Sequence, residues 1–178
     1  MTTTRQTVAR VAVAFLTMSA SGYATWQASE GLTERPMIPT AGDVPTIGHG
    51  STRYEDGTPV TMADPPITRQ RADQLARNLN DQAEQRFKAS LPGVQLYQGE
   101  FDLYMDWVGQ FGIGNWHKPK SPRTYLLQGK HRLACEALLD WRFQAERDCK
   151  LPQNWGPKGC KGVWTRQQKR HADCMAMQ

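Results

Sequence analysis

A chain of 178 residues with a formal net charge of +5 is long enough for one domain with a proper core plus a short appendage, and too short for two ordinary enzyme domains. The basic balance favours an anionic partner and leaves nucleic acid, membrane and cell wall open. No run of Lys and Arg is dense enough for a nucleic-acid tail, and basic residues alternate with acidic ones through the second half, so no nucleic-acid partner is expected.

In chain order, Arg5 and Arg10 precede a charge-free stretch from Val11 to Ser29, apolar at first and then rich in Ala, Ser, Thr and Gly. Residues 1–29 read as a targeting segment and not as core. Two forms stay open: a signal peptide cleaved after a small residue such as Ala24, or an uncleaved signal anchor that later slips out of the membrane. Tyr23 and Trp26 crowd the cleavage signature and suit an interfacial position, which favours the anchor. The stretch is barely long enough to span a bilayer, and its small polar residues make membrane residence weak.

The remainder, 30–178, reads as one domain. From Glu30 to about Met62 the punctuation by Pro36, Pro39, Gly42, Pro45, Gly48, Gly50 and Asp56-Gly57 fits a hairpin or three-stranded lobe. Thr68 is a good N-cap for a helix through Ala72, Leu75, Leu79, Ala83 and Phe87, ending near Pro92-Gly93. A second helix is expected over Gln98 to Gln110, burying Phe101, Tyr104, Met105 and Val108 and broken by the segment Phe111 to Trp116. Shorter helices follow at Arg123–Leu127 and Arg132–Trp141, then a loop from Cys149 to Cys160 and a last helix over Thr165–Met175. The fold class is α+β: a small β lobe over about 30–66, a larger helical lobe over about 67–178, and a cleft between them for an extended polymer.

The four cysteines, Cys135, Cys149, Cys160 and Cys174, lie in the last third without Cys-x-x-Cys spacing. That argues against a zinc ribbon or redox motif. Two disulfides formed in an oxidising compartment such as the periplasm are expected, with four buried thiols as the alternative. His117, His131 and His171 are too scattered for a metal site and read as surface residues; neither metal nor cofactor is expected.

The run Glu30-Gly31-Leu32, followed by Val44-Pro45-Thr46-Ile47-Gly48-His49-Gly50-Ser51-Thr52, resembles the entrance motif of glycoside hydrolase family 24, the lysozymes of T-even and lambdoid phages and their prophage relatives. Further blocks follow in the family's order. They are Gln110-Phe111-Gly112-Ile113-Gly114-Asn115-Trp116, then Ser121 to Gly129, then Ala134-Cys135 with Trp141-Arg142, then Gly162 to Cys174. The resemblance covers about Glu30 to Cys174. It implies a lysozyme-like fold and a monomeric endolysin that hydrolyses the β-1,4 linkage between N-acetylmuramic acid and N-acetylglucosamine in bacterial peptidoglycan, for host cell lysis. The weakly apolar N-terminus resembles the signal-anchor-release segment of the membrane-tethered members. That implies export to the periplasm of an infected or lysogenic host, with inner-membrane tethering through residues 11–29 and inactivity until release. It also implies pairing of Cys135 with Cys174, leaving Cys149 with Cys160.

Glycoside hydrolysis needs a carboxylic acid to protonate the leaving oxygen and a group on the opposite face to hold or deprotonate water. Glu30 suits the first role, since burial at a lobe junction would raise its pKa. For the second role the family uses an Asp. Counting back from Thr46 puts Thr40 in that place, counting forward from Glu30 puts Pro39 there, and neither is acidic. Asp43 is the nearest carboxylate; it either takes over from a shifted loop or merely caps the Gly42 turn. The third option is that Thr46, helped by Thr40, orients the water alone. Catalytic candidates are therefore Glu30, Thr46 and Asp43, and substrate-binding candidates are Thr40, His49, Gln110 and Asn115. Trp107 and Trp116 read as core by default, with sugar stacking as their alternative. A catalytically impaired peptidoglycan-binding or lysis-regulating protein of the same fold, a lytic transglycosylase, and a membrane-disrupting protein using residues 11–29 are the competing functions.

Overall fold

The stretch read as a targeting segment carries secondary structure of its own. In the computed structural model, which describes residues 9–39, 44–157 and 159–178 and only the backbone of 28–30, strand β1 (Val11–Ala12) pairs antiparallel with Gln95–Leu96 in the register Val11↔Leu96 and Ala12↔Gln95. Val13 and Leu16 are buried, and the Val13 amide donates to the Val94 carbonyl at 2.9 Å. Arg10 forks onto Glu100, Nε to Oε2 at 3.0 Å and Nη2 to Oε1 at 2.9 Å. For Val13 and Leu16 the reading as non-core is therefore corrected. The physical reason is plain: a short run apolar enough to enter a bilayer is also apolar enough to be buried in a core. No helix among the described residues is long and apolar enough to cross a membrane.

The chain divides into two compact units, Ser19–Phe87 and the residues up to Met18 together with Lys88–Gln178. In the first, helix α1 (Ala20–Glu30) starts at Ser19, whose hydroxyl accepts from the Gly22 amide at 3.0 Å, and ends at Gly31, whose φ of 72° lies in the left-handed region. Strand β2 (Thr33–Met37) pairs antiparallel with β3 (Thr46–Gly48), matching Thr33 to Gly48 and Met37 to Thr46 with an irregularity between. Bridges Ile47↔Ser51 and Arg53↔Pro59 continue this small lobe. Helix α2 (Arg69–Ala89) is capped by Thr68, whose Oγ1 accepts from the Arg71 amide at 3.1 Å. It buries Ala72, Leu75, Ala76 and Phe87 at helical spacing. Ile47, Val60 and Leu75 form the lobe's core, with Tyr54, Ile67 and Leu79 packed against them.

The second unit is mostly helical. After β4 (Gln95–Leu96), helix α3 (Gln98–Phe111) buries Phe101, Tyr104, Met105, Trp107 and Val108. Gly112 ends it at φ 82°, and a short α4 (Ile113–Trp116) fills the segment expected only as a break. Next come α5 (Pro122–Leu126), α6 (His131–Ala137) with a 3-10 turn over Leu138–Asp140, the hairpin β5 (Phe143–Gln144) to β6 (Arg147–Asp148), and α7 (Lys161–Ala176). Trp107 and Trp116 are fully buried, so they are core and not sugar platforms. Cys135 is bonded to Cys174, tying α6 to α7, and Cys149 to Cys160 closes the loop before α7.

Candidate active site

Helix α1 delivers Glu30 as its last residue, and the chain then turns at Gly31 into β2. Because Thr33 faces Gly48 across the β2–β3 ladder, the end of α1 is brought to the same end of β3 as the Gly48–His49 turn. Thr46 stands at the far end of that three-residue strand, opposite Met37. It is buried, and its Oγ1 donates to the Met37 carbonyl at 3.3 Å. A hydroxyl that donates to the backbone keeps its lone pairs for accepting from a second donor such as water. Thr40 and Asp43 lie outside the described residues.

His49 is buried at 6% exposure. Its Nδ1 faces the carbonyl of Gly31 in a short hydrogen bond, and its Nε2 lies 2.9 Å from Asp73 Oδ1 on α2. The Gln27 amide nitrogen on α1 sits 2.7 Å from the same Asp73 oxygen and 3.1 Å from His49 Nε2. The bond from His49 holds the Asp73 carboxyl below its usual range, helped by the charges of Arg69 and Arg77. Sequence reasoning picked His49 and missed Asp73 and Gln27. Asp73 follows Ala72 on a polar helix face, and nothing local marks it as a partner for a turn preceding the helix.

Gly48 lets this turn lie close on α2. Its φ is +65°, and a Cβ there would stand 3.3 Å from that of Ala72.

Gln110 and Asn115 belong to the other unit. Gln110 Oε1 accepts from Arg170 Nη1 at 2.5 Å, and Arg170 is itself buried and bonded to Asp106 and Gln167. Gln110 is thus a member of an internal polar cluster. Asn115 donates to the Phe111 carbonyl at 2.7 Å and lines a cavity of about 600 Å³ with Phe111, Lys120, Trp141, Arg142 and Phe143. Among the described residues no cluster of His, Cys, Asp and Glu forms a metal site. His131, read as a surface residue, is half-buried, and its Nδ1 has no hydrogen-bond partner among the described groups. Burial, reinforced by the Arg10 charge, lowers its pKa.

The model of the phage lysozyme family matches residues 27–168, a span that begins just before Glu30 and includes Thr46, His49, Gln110 and Asn115. The chain belongs to the phage lysozyme family. Solved structures agree on the fold. An endolysin from Escherichia coli O157:H7 phage FAHEc1 superposes with a TM-score of 0.70 at 20% identity, covering 90% of this chain and 94% of that one. A P22 lysozyme mutant gives 0.66 at 20% identity, covering 90% and 99%. The active form of the P1 phage endolysin Lyz gives 0.68 at 16% identity, covering 94% and 96%. No curated protein sequence matches the chain. The fold of this family member is lysozyme-like, mostly helical with small antiparallel sheets.

Proposed function

We propose that the protein is an endolysin of glycoside hydrolase family 24 that hydrolyses the β-1,4 linkage between N-acetylmuramic acid and N-acetylglucosamine in peptidoglycan. The observation that supports this reading is the family match over residues 27–168, taken with Glu30 as the last residue of α1 just before β2, on the same small lobe as Thr46. Glu30 protonates the departing glycosidic oxygen. Thr46, still able to accept a hydrogen bond, receives one from a water on the opposite face of the sugar, leaving a water lone pair aimed at the anomeric carbon. The proton that water loses goes to Asp43, the nearest carboxylate in sequence, with Thr40 as a further contact. A water held this way gives inversion at the anomeric centre.

For the exported, signal-anchor-release form of the enzyme, support comes from the N-terminal segment. Cleavage after Ala24 would remove Arg10, β1, Val13 and Leu16, all of which are built into the larger unit. Retention of the segment, first in the inner membrane and then in the fold, accounts for both its composition and its packing.

One departure from the family supports a second reading. Thr40 or Pro39 stands where the resemblance calls for an acid, which suits a catalytically impaired wall-binding protein of the same fold. Digestion of purified glycan strands separates the readings. Products with a reducing end, formed first as the inverted anomer, support the hydrolase; an anhydro sugar marks a transglycosylase, and intact strands with retained binding mark the impaired form.

A further inference from the structure

His49 has a position that neither Glu30 nor Thr46 shares. Each nitrogen of its buried ring faces an oxygen, Nδ1 the Gly31 carbonyl and Nε2 the Asp73 carboxylate. Gly31 directly follows Glu30, has φ +72°, and has no heavy atom within 4 Å of where a Cβ would stand. The residue that follows helix α1 therefore has no side chain to pack, and glycine is the residue freest to turn about its own backbone.

We propose that His49 is a positioning residue. Through the Nδ1–H bond to the Gly31 carbonyl it fixes the peptide that follows Glu30, and so the backbone at the end of α1 that carries Glu30; Asp73 and Gln27 hold the ring. The proposal rests on the reading of Glu30 as the proton donor. The ring donates from both nitrogens, Nδ1–H to the Gly31 carbonyl and Nε2–H to Asp73 Oδ1, and the Gln27 amide nitrogen donates to the same carboxylate oxygen from 2.7 Å. The groups around the ring are Gly31 and Gln27 from α1 and its end, and Asp73 from α2, with Arg69 and Arg77 acting on Asp73 through their charges. Such a hold matters because displacing a reacting group by about 1 Å can cost on the order of a hundredfold in rate.

Two substitutions split the ring's two bonds. The amide nitrogen of Asn falls near the place of Nδ1, and that of Gln near the place of Nε2. H49N therefore keeps the donor to Gly31 and gives up Asp73, whereas H49Q keeps Asp73 and gives up Gly31. On soluble glycan strands, H49Q is expected to lose roughly ten- to a hundredfold in kcat with KM unchanged, and H49N to stay clearly above it at similar Tm. Deuterium exchange of the amides over residues 27–33 is expected to be faster in H49Q than in H49N. Equal kcat in the two variants, losses that simply follow Tm, or the reverse order overturns the positioning role. Exchange that is alike in both overturns the hold on Gly31 whatever the glycan assay shows. A separate E30Q variant as active as the wild type would remove the acid itself, and the exchange contrast would still decide the fate of the Gly31 bond.

Discussion

Removing Arg10 should unbalance one of the most deeply buried charges in the molecule. Glu100 is 0% exposed and takes four donor contacts: two from Arg10, one from the Tyr97 amide at 2.8 Å and one from Gln178 Nε2 at 2.8 Å. Breaking a buried ion pair by deleting one partner typically costs 3–5 kcal/mol, because the other charge is left uncompensated. Two of the four contacts survive in R10M, so the expected loss sits at the low end, about 3 kcal/mol. The pH dependence follows from the carboxyl's own balance. Burial pushes the Glu100 carboxyl up, but the bonds from Arg10, Gln178 and the Tyr97 amide outweigh it and leave it below the ordinary range. A depressed folded-state pKa contributes stability above the unfolded value, roughly pH 4.3, and loses it as the pH falls through the folded value. Without Arg10, burial dominates and the neutral carboxyl is favoured. The gap between wild type and R10M should therefore be widest near neutrality and narrow below about pH 4. Urea unfolding followed by tryptophan fluorescence at several pH values measures it. A loss under about 1 kcal/mol at pH 7, or a gap that does not change with pH, would refute the reasoning.

Three further outcomes are expected. Gly48→Ala forces a non-glycine residue to φ +65° and a Cβ to 3.3 Å from Ala72, so Tm should fall in line with a loss of about 2 kcal/mol; an unchanged Tm would contradict it. Replacing the Cys135–Cys174 pair, 39 residues apart, should cost about 4 kcal/mol, and replacing Cys149–Cys160, 11 residues apart, about 3 kcal/mol, by loop-closure entropy. Chemical denaturation in which the shorter loop matters more would count against that order. Glu55, bonded first by Arg71 and also by Asn78, has its carboxyl pulled down to about 2; its NMR titration should shift back toward the ordinary range in R71M, and a midpoint already ordinary in the wild type would remove the pair.

The long helices were legible in the sequence because caps and periodicity agreed. Thr68 does cap α2, and the apolar spacing from Phe101 to Val108 does face the core. The hairpin Phe143–Asp148 was not legible, since its turn is made by Ala145 and Glu146 at φ 46° and 63°, residues that carry no turn signal. The N-terminal stretch was ambiguous in a physical sense, because apolar composition alone does not choose between bilayer and core. Helix α7 begins at Lys161, ahead of the expected Thr165, directly after the cysteine that closes the preceding loop. At the site, the Glu30–Gly31 and Thr46–Ile47–Gly48 blocks were readable as motifs. The partners of His49 were not, because Asp73 and Gln27 reach it only through the packing of α1 and α2.

In the proposed reaction the carboxyl of Glu30 donates the proton that cleaves the glycan. Digestion of purified peptidoglycan sacculi by wild type and E30Q, matched for folding by circular dichroism, tests it most directly. Solubilised muropeptides from the wild type and essentially none from the variant are expected; equal release by both would contradict the account.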